Sequence, residues 1–104
     1  MKEKNIKRYM TIGIQNEISP ELQFFLWEIQ INKRKEGQKF DYLQIYKLSK
    51  GSNSLQVIEH TAEEPKHHDV YYVETTNPIE GKIYIITDEY EDFLVETMLF
   101  PSER

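Results

Sequence analysis

At 104 residues the chain can close one hydrophobic core but not two, because domains commonly run to about 100–150 residues. Residues 1–104 therefore read as a single domain, with 1–7 as a flexible lead-in. Cysteine is absent, which excludes disulfides, thiolate nucleophiles and cysteine-based zinc sites. So small a chain without staples points to a reducing, cytoplasmic setting. The net charge of −5 hides a gradient: residues 1–50 carry ten Lys and Arg against six Asp and Glu, and residues 51–104 carry three against twelve. That overall acidity argues against a dedicated nucleic-acid binder.

The N-terminus is charged and opens no long apolar run, so no secretory leader is expected. The candidate apolar stretches at 24–31 and 83–86 fall far short of the ~20 residues that span a bilayer, and no membrane association is expected. Apolar residues are sparse at 38%, but seven Tyr, five Phe and one Trp compensate, because each large ring buries about 150–250 Å².

In chain order, the alternation over 8–15 predicts a first strand, with Gly13 as a bulge or close-approach point. The one clear helix opens at Ser19, a good N-cap followed by Pro20 at the first helical position and Glu21 at the positive end of the dipole. It runs to about Lys35. Lys33, Arg34 and Lys35 suit the negative end of the dipole, and Gly37 can take the left-handed conformation that stops a helix. Strands at 42–48 and 55–61 flank the turn at 49–53. A polar loop holding Pro65, His67 and His68 precedes a strand at 70–75. Further strands follow at 82–87 and 93–100, separated by the acidic run 88–92, and Pro101 ends the last.

The expected class is α+β. One N-terminal helix packs on a strongly bent, mainly antiparallel sheet of about six strands, in the order β-α-β-β-β-β-β, with a partial barrel as one form of closure. Short late connections imply an antiparallel meander, with the first strand at an edge or across the sheet. The helix is apolar on two sides: Leu22, Phe25, Leu26 and Ile29 form one face, and Phe24, Trp27 and Ile31 the other. Several strands repeat this excess, and surfaces apolar on both sides need a cover. A curled sheet, a wrapped helix or a second chain would each supply it.

No motif assigns chemistry. His60, His67 and His68 flank a loop with Glu63, Glu64 and Asp69, but their spacing matches no metal motif, so no metal ion is expected, and whether these histidines converge is open. The run Asp88, Glu89, Glu91 and Asp92 lacks the glycine and spacing of a calcium loop. No nucleophile elbow, phosphate loop or dinucleotide fingerprint is present, so no cofactor and no catalytic residue are expected. The reading favours binding over catalysis: a protein-interaction module or homodimer using Phe24, Trp27, Ile31, Tyr71 and Tyr84. One alternative is a nucleic-acid-associated regulator using Lys33, Arg34 and Lys35, joined by Lys2, Lys4, Lys7 and Arg8 if the fold collects them. Another is a ligand-binding or enzymatic domain with a pocket between helix and sheet, bounded by His60 and the acidic turn.

Five segments carry a family resemblance. They are Arg-Tyr-Met-Thr-Ile-Gly-Ile at 8–14, Ile-Ser-Pro-Glu-Leu-Gln-Phe-Phe-Leu-Trp at 18–27, Asp-Tyr-Leu-Gln-Ile at 41–45, Gly-Lys-Ile-Tyr-Ile-Ile-Thr-Asp at 81–88 and Thr-Met-Leu-Phe-Pro at 97–101. From about Arg8 to Pro101 the chain resembles a small family of cytosolic Firmicute proteins known as domain of unknown function 960. The resemblance implies a bacterial cytosolic origin. It implies no activity and no site residues.

Overall fold

The computed structural model describes residues 4–37 and 39–104; Lys2 lies outside the described residues. The first element of the described residues is β1 (Asn5–Met10), so 5–7 belong to a strand rather than to a lead-in; residues 1–3 of the expected lead-in lie outside the described residues. The first strand does not continue to 15. Thr11 ends it by capping a short helix, α1 (Ile12–Glu17), its hydroxyl accepting from the Ile14 amide at 3.3 Å. Alternation over 8–15 looked like one strand because Ile14 faces the core in either conformation, and here it is fully buried. Gly13 is indeed a close-approach point: a Cβ there would stand 2.5 Å from the Glu103 carboxylate. That carboxylate is held in place by the Phe100 amide and the Thr11 hydroxyl, each at 2.8 Å.

The main helix, α2 (Pro20–Lys35), begins and ends where its local chemistry directs. The Ser19 hydroxyl accepts from the Leu22 amide, Pro20 and Glu21 fill the first turn, and Lys33, Arg34 and Lys35 fill the last. Gly37 then takes a positive φ of 76°. The Gln23 amide nitrogen donates to the carbonyls of Ile14 and Ile18, tying the two helices at their junction.

Five strands follow: β2 (Leu43–Lys50), β3 (Leu55–Glu63), β4 (Lys66–Glu74), β5 (Gly81–Glu89) and β6 (Phe93–Leu99), with a 3₁₀ turn at Pro101–Glu103. They form a six-stranded mixed sheet in the order β1-β6-β5-β2-β3-β4. The fold is α+β, as the sequence indicates, but the sheet stays open rather than closing into a barrel, with β1 and β4 at its two ends. All pairs are antiparallel except β1 with β6. The expected antiparallel meander holds through β2, β3 and β4 and again between β5 and β6. β5 returns to pair with β2, so the connection 75–80 crosses the ends of β3 and β2.

The helices cover one face of the sheet. Ile14, Leu26, Ile58, Ile83, Ile85 and Met98, all fully buried, form the core between the layers. A buried aliphatic side chain contributes about 1.5–3 kcal/mol, so these six set the helix against the sheet. Among the described residues no helix is long and apolar enough to cross a membrane.

Candidate functional site

The inner sheet face carries an unusual line of buried polar groups. Alternation points Gln44 and Tyr46 of β2, Gln56 and His60 of β3 and Glu96 of β6 towards the helix, and all five side chains are almost wholly buried. Buried polar atoms are costly unless bonded; Gln56 bonds backbone groups of Ser49 and Ile79, and the others are joined through side chains. Glu96 Oε1 accepts from Arg8 Nε at 2.8 Å. Its Oε2 accepts from Gln30 Nε2 at 2.8 Å and from Arg34 at 2.7 and 2.9 Å. With its amide nitrogen committed to the carboxylate, Gln30 presents its oxygen to the Tyr46 hydroxyl, which donates to it. Burial, then the Glu96 charge, pushes the Tyr46 pKa well above its ordinary value, so the hydroxyl stays a donor.

The line continues by stacking. The His60 ring lies parallel to Tyr46 at 4.3 Å between centroids, and His67 meets His60 edge-on at 4.5 Å. His60 Nε2 lies 2.7 Å from Gln44 Oε1. Burial, helped by the neighbouring His67 and Lys33, depresses the His60 pKa to about 3, so the ring is neutral. At the end of this line Asp41 accepts from the backbone amides of Leu43, Glu63 and Glu64. Partial burial works to raise its pKa, but these amides outweigh it and hold the carboxyl below its usual range.

On the other side of α2 lies a cavity of about 690 Å³ between the helix's last turns, β1 and the ends of β5 and β6. Four cationic side chains, Lys4, Arg8, Arg34 and Lys35, line it. Two carboxylates answer them. Glu96 lies between Arg8 and Arg34, and Glu89 pairs with Lys4 at 2.8 Å. Lys35 makes no ion pair among the described residues. Apart from Thr87, the remaining wall is apolar or aromatic: Ile6, Ile31 and Leu94, with Tyr42 and with Phe40, over which the Arg34 guanidinium stacks at 4.3 Å. In an acidic chain this is a concave surface of net positive charge, open to an anion and backed by rings.

The family model described as a staphylococcal protein of unknown function (DUF960) matches residues 7–103. The chain belongs to this family. The match therefore takes in both helices, strands β2 to β6 and all but the first residues of β1, including the carboxylate that joins β1 to α2. A crystal structure of a protein of unknown function from Enterococcus faecalis has the same fold, with a TM-score of 0.74 at 18% identity, covering 94% of this chain and 90% of that one. No curated protein matches the chain.

The residues singled out from the DUF960 sequence fall in several places. Phe24 is 67% exposed near the start of α2. Trp27 packs partly against the core with Arg8 above its ring, and Ile31 walls the cationic cavity. Tyr71 lies on the inner face of β4 against the core. Tyr84 is on the outer face, beneath Arg104. These five do not form one patch. Of the basic residues, Arg34 and Lys35 join Lys4 and Arg8 at the cavity, whereas Lys33 turns to Glu36 and Asp69 on the opposite side of the helix. Lys7 instead sits over the Phe93 ring.

The helix–sheet cavity is bounded by Glu89 of the acidic turn but not by His60. The polar loop expected around Pro65, His67 and His68 is instead the tight end of the β3–β4 hairpin, since β4 already begins at Lys66. An edge strand with one open face tolerates the polar residues that suggested a loop. Sequence reasoning missed Glu96, Gln30 and Gln44. The signal for Glu96 was a single charge at an inward position of an otherwise apolar strand.

Proposed function

We propose that this chain is a cytoplasmic ligand-binding protein, without catalysis, whose ligand is a small organic anion carrying a flat ring, held in the cavity beside α2. The observation that carries this reading is the convergence of Lys4, Arg8, Arg34 and Lys35 on one concave surface of an acidic chain. The volume, about 690 Å³, falls within the roughly 300–1,000 Å³ of small-molecule sites. Arg8 and Arg34 are fixed by Glu96 before any ligand arrives, which lowers the entropic cost of binding. Phe40 and Tyr42 offer faces to a ring, and Lys35 an exposed charge. A cavity that collects the cations, rather than a stripe along the surface, favours a small anion over a nucleic-acid strand.

The test is a two-dimensional amide NMR titration with 2-naphthyl phosphate as the flat anion and 2-naphthol as its uncharged counterpart. Shifts are expected at Ile6, Ile31 and Leu94. The phosphate should bind at least about tenfold more tightly than the naphthol, a difference of about 1.4 kcal/mol. Lys35→Glu should weaken the phosphate without lowering the melting temperature. Shifts confined to the outer sheet face, or none at millimolar probe, would overturn the reading.

A second reading, self-association, rests on the sheet face opposite the helices. Val70 and Tyr72 on the edge strand β4 are 41% and 66% exposed. Ile45, Val57, Ile86 and Val95 continue that face inward, half-buried. Large apolar patches on soluble proteins commonly mark partner sites, and a second copy is the simplest partner. Sedimentation equilibrium at micromolar concentration should then give a dimer that Tyr72→Glu converts to monomer. A monomer throughout would remove this reading.

A further inference from the structure

We propose that His60, His67 and Asp69 together bind one divalent transition-metal ion of the zinc class. The register of the β3–β4 hairpin sets His60 opposite Asp69 and Ala62 opposite His67. His67 and Asp69 are two residues apart, so alternation turns all three side chains to the inner face. One ligand atom from each lies within 4.8 Å of the other two. Two imidazoles and a carboxylate form a donor set suited to zinc and its neighbours, and leave a coordination position open.

The hydrogen bonds show which His60 nitrogen is offered. The Gln44 amide nitrogen donates to the Asp41 carbonyl at 2.9 Å. Gln44 must therefore present its oxygen to His60, and that oxygen accepts from Nε2–H at 2.7 Å. A neutral ring with its proton on Nε2 carries a bare lone pair on Nδ1. This is the outer-sphere device that fixes the tautomer of metal-bound histidines. His60 Nδ1 has no hydrogen-bond partner among the described residues, nor does His67 Nε2, and both atoms are shielded from solvent. His60 is entirely buried. An unmet buried acceptor of this kind calls for an explanation, and a bound cation supplies one.

The surroundings also supply an adjoining cavity and an opposing charge. A cavity of about 80 Å³, lined by His67, Lys33, Glu36, Asp41, Gln44 and Lys66, adjoins the site on its His67 side. Metal–nitrogen bonds of about 2.0–2.1 Å place tetrahedral ligands roughly 3.4 Å apart, so the three groups must draw inward. His67 and Asp69, on the edge strand, can rotate to do so, whereas stacking on Tyr46 and the bond to Gln44 hold His60. The Lys33 ammonium, 3.8 Å from an Asp69 oxygen, opposes a cation and sets the affinity below that of an unopposed site. His68, the third histidine, points to the outer face beside Glu59 and takes no part.

The untagged chain, stripped with chelator, is titrated with Co²⁺, whose visible d–d absorption reports tetrahedral nitrogen and oxygen ligands, and then with Zn²⁺. One equivalent of Co²⁺ should bind, and Zn²⁺ should displace it. His67→Ala and Asp69→Asn should each weaken Co²⁺ at least about tenfold, and Gln44→Leu by a similar factor through loss of the tautomer lock. Lys33→Met should tighten it, a result that general damage to the fold cannot imitate. If His67→Ala fails to fold, Asp69→Asn and Lys33→Met still decide. Three results would overturn the proposal: no stoichiometric site at a hundred micromolar, affinity unchanged by His67→Ala and Asp69→Asn, or a crystal grown in excess Zn²⁺ with a water between His60 Nδ1 and His67 Nε2.

Discussion

Glu96→Ala is expected to lower the unfolding free energy by about 3–5 kcal/mol, because removing one partner of a buried ion pair leaves the other charges uncompensated. The Glu96 side chain is wholly buried and holds four groups at once: Arg8 from β1, Gln30 and Arg34 from α2, and, through Arg34, Thr87 of β5. Deleting it leaves two guanidiniums facing each other and frees the Gln30 amide. The loss should exceed that of a leucine truncation at the rim of the same layer. Urea denaturation followed by the Trp27 fluorescence measures it. The double variant Glu96→Ala/Arg34→Met should be less destabilised than the sum of its parts, since the second change removes a charge that the first left unpaired. Strict additivity, or a loss below about 1 kcal/mol, would mean that the carboxylate is effectively solvated.

The same residue illustrates what could and could not be read beforehand. The helix from Ser19 to Lys35 was legible because caps, the Pro at its first position and the dipole-matched ends act within one turn of chain. The hairpin at 49–53 was legible for the same local reason, and positive φ at Asn53 and Ser54 completes it. Strand partners were not legible. Nothing in 81–89 records that β5 pairs with β2 rather than with β4, because that choice is made by how the outer connection crosses the sheet. The Lys33, Arg34 and Lys35 cluster reads as helix-ending chemistry, and it is. Only the placement of Glu96 beneath the helix gives Arg34 its second role. Likewise the alternation of Gln56, Ile58 and His60 with Val57, Glu59 and Thr61 leaves it ambiguous which set faces inward. The polar members of the inner set are tolerated because each meets a partner from a distant segment.

Gln56→Ala is expected to be the second severe change, at about 3 kcal/mol, since it strips partners from three part-buried backbone groups that each cost about 1–3 kcal/mol when left unmet. The topology explains why. The connection from β4 to β5 runs across the ends of β3 and β2, roughly three strand spacings of about 4.8 Å, so its backbone cannot join the sheet ladder. Gln56, 1% exposed, substitutes for that ladder. Its oxygen accepts from the Ile79 amide at 2.8 Å, and its nitrogen donates to the Ile79 carbonyl at 2.9 Å and to the Ser49 carbonyl at 3.0 Å. One side chain thus pairs both groups of Ile79 as a neighbouring strand would, and fastens them to the end of β2. In Gln56→Ala the Ile79 amide should exchange its hydrogen far faster than the amides of Ile83 and Ile85, which keep their ladder partners. Gln56→Glu should restore the Ile79 amide bond but not those to the carbonyls, recovering only part of the stability. Uniform loss of protection across β5 would show instead that the crossing segment and the central strands unfold as one unit.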